Sequence, residues 1–173
     1  CEPYGNGHIN GTQLVVCENG VKYILQQINT SVFREPIPLM RNIELVTAHL
    51  RRKISDPRGV LCLVPTHDGM HYAVEDGSYC RVYDLVYDSV CYQTADALLF
   101  YESAVAFGRF QNQLADFPAN QLAETIPHFH DTPARFSAFV RAVSENASGR
   151  RSSVQREIDF ALAYESFTHT LAN

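Results

Sequence analysis

Gly5-Asn6-Gly7-His8-Ile9-Asn10-Gly11-Thr12 concentrates glycine in a short stretch near the start of the chain. A turn of that composition lets backbone N–H groups approach and cradle anionic phosphates. The same glycine density also builds an ordinary hairpin, so the string alone leaves phosphate binding and a plain turn both open. It is not a Walker loop, because no Gly-Lys-Ser/Thr occurs and no helix follows. Nor is it a dinucleotide-binding turn, since Thr12–Cys17 reads as a strand. His67, His71, His128, His130 and His169 raise metal ligation. His128 and His130 bracket Phe129 at a spacing that would put both on one face of a strand, but no third ligand is near in sequence. His67 and His71 bracket a turn and read as surface residues. No Gly-x-Ser-x-Gly elbow is present for nucleophilic catalysis. Cys1, Cys17, Cys62, Cys80 and Cys91 form no Cys-x-x-Cys pair and read as free thiols of a reducing compartment.

Composition narrows the classes of function. In 173 residues, 46% apolar content is normal for a packed core, so wholesale disorder is excluded. A net charge of −5 argues against a nucleic-acid binder working by phosphate neutralisation. Arg51-Arg52-Lys53 and Arg150-Arg151 are short basic groups best read as solvated helix ends. No apolar run approaches the ~20 residues of a membrane span, and no leader pattern opens the chain. The expected compartment is the cytoplasm. The chain starts at Cys1 rather than Met, as a trimmed chain would.

The elements that must position these residues form two textures dividing near residue 93. Thr12–Cys17 and Lys22–Ile28 flank Glu18-Asn19-Gly20 and read as a hairpin. Val60–Pro65, Met70–Val74 and Tyr79–Val86 follow, with turns at His67-Asp68-Gly69 and Glu75-Asp76-Gly77-Ser78. Together they predict an antiparallel sheet of five strands. One helix is inserted: Pro36 and Pro38 mark its entry, and Leu39, Ile43, Val46 and Leu50 recur at helical spacing to about Ile54. After residue 93 the period is helical only. Ala95–Asp116 carries a broad apolar face, and Thr132 is a plausible N-cap before Pro133, Phe136, Phe139, Val140 and Val143. A last helix from about Ser153 has Phe160, Tyr164, Phe167 and Leu171 in register. The fold class is α+β. An apolar stripe on the last helix needs a partner surface, which chain beyond this sequence or self-association could supply.

Glycine hairpin, strand, helix bearing an acid, two more strands and then helices is also the plan of the kinase-like fold. In that plan a strand lysine grips phosphates and a helix glutamate holds it; Glu44 stands mid-helix in the matching place. The strings YGNGHINGT, KYILQQIN, VFREPIPLMRNIELVTAHLRRKI, VPTHDG, YCRVYDLVYDSVCY, AFGRFQNQLADFP, ETIPHFHDTPARF and EIDFALA together resemble the aminoglycoside phosphotransferase/choline kinase superfamily. The likeness is strongest to the branch containing bacterial N-acetylhexosamine 1-kinases. Some members of that branch carry the label mucin-desulfating sulfatase. No cysteine here stands in the Cys/Ser-x-Pro-x-Arg context a type I sulfatase needs, so that label is discounted as chemistry.

The resemblance implies a kinase-like N-terminal lobe over residues 1–93 with its first strand clipped. It implies the first helices of the C-terminal lobe over 94–173. Gly5, Asn6, Gly7, His8, Asn10 and Thr12 would belong to the phosphate-covering loop, with His8 and Asn10 as donors. Glu44 would point toward the nucleotide, while the Ala48-His49 end of that helix would face outward. Backbone groups near Asp84 and Val86 would meet the adenine edge. His130 and Asp131 would line the acceptor side. ATP and Mg²⁺ are the implied cofactors and an amino sugar the implied acceptor, with aminoglycoside- or choline-type acceptors as the alternative.

Two departures qualify the likeness. Aligning YILQ with the kinase strand V-A-I-K puts Gln26 where lysine is expected, and no arginine lies on that strand. A glutamine donates a neutral hydrogen bond of ~1 kcal/mol, about half a charge-assisted one. The second departure is the lack of any His-x-Asp-x-x-x-x-Asn. After His130-Asp131-Thr132, the residue five beyond Asp131 is Phe136 and Pro133 begins a helix. After Ile158-Asp159-Phe160 no glycine follows. The catalytic loop is expected beyond Asn173, and the 173-residue chain is expected to be inert alone. A non-catalytic nucleotide-binding or interaction module is the competing expectation.

Overall fold

The computed structural model describes residues 1–92 and 94–170. Five antiparallel strands form one open sheet in the order β1-β2-β3-β5-β4: β1 Glu2–Pro3, β2 Gly11–Val16, β3 Lys22–Gln27, β4 Ala73–Glu75 and β5 Ser78–Asp84. The helices are α1 Pro36–Arg51, α2 Ala97–Gln113, α3 Thr132–Glu145 and α4 Gln155–Ala163. The α+β class and the five-stranded antiparallel sheet thus agree with the reading from sequence.

Strand membership differs from expectation in two places: Glu2–Pro3 adds a short edge strand that the five expected strands do not include, and Val60–Pro65 drops out. Val60–Pro65 is not a strand but meets β5 through a single bridge, Leu63 with Tyr83. It still runs along that edge, because Val64 N–H donates to the Val82 carbonyl and Asp84 N–H to the Cys62 carbonyl. Pro65 cannot donate a ladder bond, which helps end the run there. β4 holds the other half of the same edge, pairing Ala73–Glu75 with Ser78–Cys80. The turn joining β4 to β5 has Asp76 at φ 47° and Gly77 at φ 75°. Two successive positive φ values are what a tight two-residue hairpin demands, and Asp-Gly meets that demand.

α1 lies on the face of the sheet that carries Ile28, Tyr79 and Tyr83. The core there is Ile28, Met40 and Leu63, joined by Leu39, Ile43, Leu61 and Tyr72. Met40 is only 1% exposed. Two prolines start α1, where their missing N–H groups cost nothing. Its far end is tied to the stretch after α2. Lys53 donates to the Gln113 carbonyl at 2.6 Å and pairs with the Asp116 carboxylate. His49 meets Asp116 at 3.1 Å and sets its ring edge-on to Phe117. Asn42 exchanges two hydrogen bonds with the backbone of Ala123, at 2.8 and 2.9 Å. His49 is therefore buried rather than outward-facing, although its neighbour Ala48 is exposed.

Two compact units are present, Cys1–Ile126 and a second beginning at Pro127. The change of texture near residue 93 falls within the first unit, and Gln93 itself lies outside the described residues. In the second unit the last helix is shorter than expected. α4 ends at Ala163, Tyr164 is its C-cap and Phe167 sits in a following 3₁₀ turn. Phe160, Tyr164 and Phe167 still form a chain of ring contacts, at 4.8 and 5.5 Å; Leu171 lies outside the described residues. No helix among the described residues is long and apolar enough to cross a membrane.

Candidate functional site

The pairing registers of β2, β3 and β5 set three polar side chains in one row. Gln26 is opposite Thr12 on one side and Arg81 on the other. Side chains directly opposite across adjacent strands share a face, so the row crosses the sheet on the side that meets α1. The Gln26 amide is fixed in orientation by its neighbours. Its Nε2 donates to Thr12 Oγ1 at 3.0 Å, while its Oε1 accepts from Arg81 Nε at 3.0 Å and Nη2 at 2.6 Å. Arg81 Nη1 lies 3.7 Å from Met40 Sδ, a weak acceptor on α1. Burial pulls the Arg81 pKa below the ordinary arginine value, but a guanidinium stays protonated there. Among the described residues no carboxylate lies within ion-pair distance of it. A half-buried cation thus stands beside the position where the strand carries glutamine instead of lysine.

Glu44 does not join this row. Its Oε1 meets His71 Nδ1 at 2.9 Å, with both side chains half-buried. His71 is accordingly no free surface residue, contrary to expectation. The sequence could not show this, because the pair closes over 27 positions through the packing of α1 on the sheet.

The glycine string joins β1 to β2 as a hairpin loop. Tyr4 N–H donates to the Thr12 carbonyl at 3.0 Å, and Gly5 has φ 75°. Gly5, Asn6, Gly7 and His8 are exposed. A Cβ on Gly7 would meet nothing within 4 Å, so the loop stands open. Asn10 serves the fold: its Oδ1 accepts from Asn29 N–H at 2.9 Å. A cavity of about 290 Å³ opens at this end, lined by Ile9, Gly11, Gln27, Ile28, Asn29 and Thr30.

Asp84 closes β5 at the opposite end of the same strands, and Val86, expected within that strand, lies just beyond it. Asp84 pairs with Tyr23, three ladder positions from the Gln26–Arg81 pair, or roughly 10 Å at strand rise. A separate cavity of about 370 Å³ has Val21, Lys22, Cys62, Asp84, Val86 and Tyr87 in its wall. Backbone capacity here is partly committed. Asp84 N–H binds the Cys62 carbonyl, and the Ser89 hydroxyl donates to the Val86 carbonyl at 2.6 Å. The Asp84 carboxylate beside the Cys62 thiol, together with burial, pushes the thiol's pKa up.

His130 and Asp131 belong to the second unit. Asp131, rather than Thr132, is the N-cap of α3, accepting from Ala134 N–H at 2.9 Å. A carboxylate one residue earlier reaches the N3 donor and suits the positive end of the helix. His130 is exposed and packs edge-on against Phe129 at 4.9 Å. Arg135 donates to the Phe129 carbonyl and covers the same ring. Asp159 accepts from Gln155 within α4, and Ile158 beside it is buried, so that triplet serves the helix.

The structure therefore brings together Thr12 and Gln26, and sets Asp84 with Val86 beside one cavity. It leaves Glu44 with His71 and engages Asp131 in a cap. Among the described residues no group of three or more His, Cys, Asp and Glu side chains is placed to hold a metal ion. No family model matches the chain. Arg81 is the residue that sequence reading passed over. Its signal was phase: Arg81 alternates with Tyr79 and Tyr83, two large residues on the face that packs against α1.

Proposed function

We propose that this chain is the nucleotide-holding part of an ATP-dependent small-molecule phosphotransferase of N-acetylhexosamine 1-kinase type, working in the cytoplasm. The observation that carries the reading is the polarity of β3. A glycine hairpin and the Thr12–Gln26–Arg81 row mark one end of it, and Asp84–Val86 the other, roughly 10 Å away. That separation suits a nucleotide lying along the strands, base toward Asp84–Val86 and phosphates toward the glycines. The residues fit the phosphates well, because Arg81 is a cation with no carboxylate within ion-pair distance among the described residues. Magnesium ligands are not proposed among the described residues. ATP would supply the γ-phosphoryl group, which passes to the anomeric hydroxyl of the sugar, leaving ADP; the hydroxyl proton needs a carboxylate base. These 173 residues contain no His-x-Asp-x-x-x-x-Asn to provide that base.

A second reading, a nucleotide-binding or interaction module without phosphotransfer, is favoured by Gln26 at the lysine position and by the engagement of Glu44 with His71. One experiment separates the two. The protein as its gene encodes it is incubated with Mg²⁺-ATP and a panel of N-acetylhexosamines, choline and aminoglycosides, and ADP release is followed. Sugar-dependent release supports the first reading, choline or aminoglycoside dependence moves the acceptor, and ATP binding without turnover selects the module. The 173-residue chain alone is expected to be inert, and turnover by it would contradict this assignment of the base.

A further inference from the structure

We propose that Arg81, presented by Gln26, is the cation that receives the phosphate chain of the nucleotide, in the role a lysine on β3 would otherwise fill. This rests on the nucleotide reading above and adds to it a named residue and a charge mechanism. On β3 the one lysine, Lys22, stands four residues from Gln26, roughly 13 Å at strand rise, and no arginine lies on that strand; the register supplies the cation from the next strand, directly opposite Gln26.

Three features support the assignment. First, the acceptor that holds Arg81 is neutral. A glutamine carbonyl takes Nε and Nη2 in a fork and fixes the plane of the guanidinium, yet leaves its full charge uncancelled. A glutamate in that place would hold it equally well and neutralise it. Second, the nearest acidic group on α1 is drawn elsewhere, since Glu44 is committed to His71. Third, Arg81 has N–H groups beyond those used by Gln26, and the other neighbour at Nη1 is a thioether. A cation removed from water without an anion is unfavourable unless something negative completes it. A phosphate chain beneath the glycine loop supplies that charge, and Thr12 Oγ1 at the end of the row lies next to the same loop.

A structural brace between β3, β5 and α1 is the competing role, and charge separates the two. Binding of ATP, ADP and adenosine is measured by calorimetry on the protein as its gene encodes it, for wild type, Arg81→Met and Gln26→Glu. Arg81→Met keeps most of the packing and removes the charge. Gln26→Glu keeps the fork and cancels the charge, so it serves even where Arg81→Met does not fold. Each variant is expected to weaken ATP and ADP by about 10- to 100-fold, the range for losing charge-assisted hydrogen bonds, and adenosine by less than about 2-fold. ATP and adenosine weakening together, or Gln26→Glu leaving ATP unchanged, would overturn the assignment and leave Arg81 a brace. If wild type binds adenosine and ATP equally well, the nucleotide reading survives and Arg81 loses its role. If wild type binds neither, the nucleotide reading itself falls.

Discussion

α1 and α2 are helices of nearly equal length with opposite fates. α1 puts Met40, Leu39 and Ile43 against the sheet, burying the first fully and the other two in part. α2 buries none of its residues, although Leu98, Phe100, Tyr101, Phe107 and Phe110 make it the more apolar of the two. Phe100 is 72% exposed and Phe107 69%. A hydrophobic face records that burial is favourable; it carries no record of what does the burying. For α1 that partner is a sheet closed by pairs up to 61 positions apart, from Ile28 N–H with the Tyr79 carbonyl at 51 to Tyr23 with Asp84 at 61.

Truncation should expose this contrast most strongly. Met40→Ala is expected to cost about 2–5 kcal/mol in chemical denaturation, the range for emptying a packed core site. Phe107→Ala on α2 should stay within about 0.5 kcal/mol. Equal losses at the two sites would break the comparison. A smaller effect is expected where the second unit relies on a cap rather than a core. Asp131→Ala should cost about 1 kcal/mol, read by melting of that unit, and Asp131→Asn much less.

Acid should separate the anchored helix from its anchor. The hydrogen bond from Lys53, assisted by His49, holds the Asp116 carboxyl below the usual carboxylate range. Its folded pKa is therefore lower than its unfolded one. The stabilisation it gives is present above the ordinary carboxylate range and is lost as pH falls through the depressed value. Amide exchange over residues 113–123 should accelerate in that window before exchange in β3 does, and Lys53→Met should shift the onset toward higher pH. The mildest test is chemical. Asp84 and burial raise the Cys62 pKa, and burial chiefly raises that of Cys80, while Cys1 and Cys91 are exposed. Timed alkylation read by mass spectrometry should label the exposed pair first.

Local signals were legible in the chain: the Asp-Gly turn, the proline entry to α1 and the alternation along β2 and β3. What remained hidden was long-range partnership. Gln26 announces a missing charge, but only the β3–β5 register reveals Arg81 as its neighbour. Glu44 can be assigned to a helix by periodicity, whereas its union with His71 depends on how that helix sits on the sheet. Thr132 has the residue type of a cap before Pro133, but the geometry at Ala134 selects the Asp131 carboxylate instead. Val60–Pro65 had the composition of a strand, but strand identity also needs an edge to pair with, and β4 holds half of that edge.

The two attachments of α1 to the chain after α2 give that helix a mechanical character. Asn42 stands near the middle of α1 and Lys53 just past its C-terminal end, about 16 Å apart at helical rise, so the 113–123 stretch holds the C-terminal half of the helix like a beam pinned at two points. Such a beam resists tilting far better than one fixed at its middle. A push on Ala123 or Asp116 is therefore carried as a displacement of the whole rod, Met40 included, to the thioether that touches Arg81.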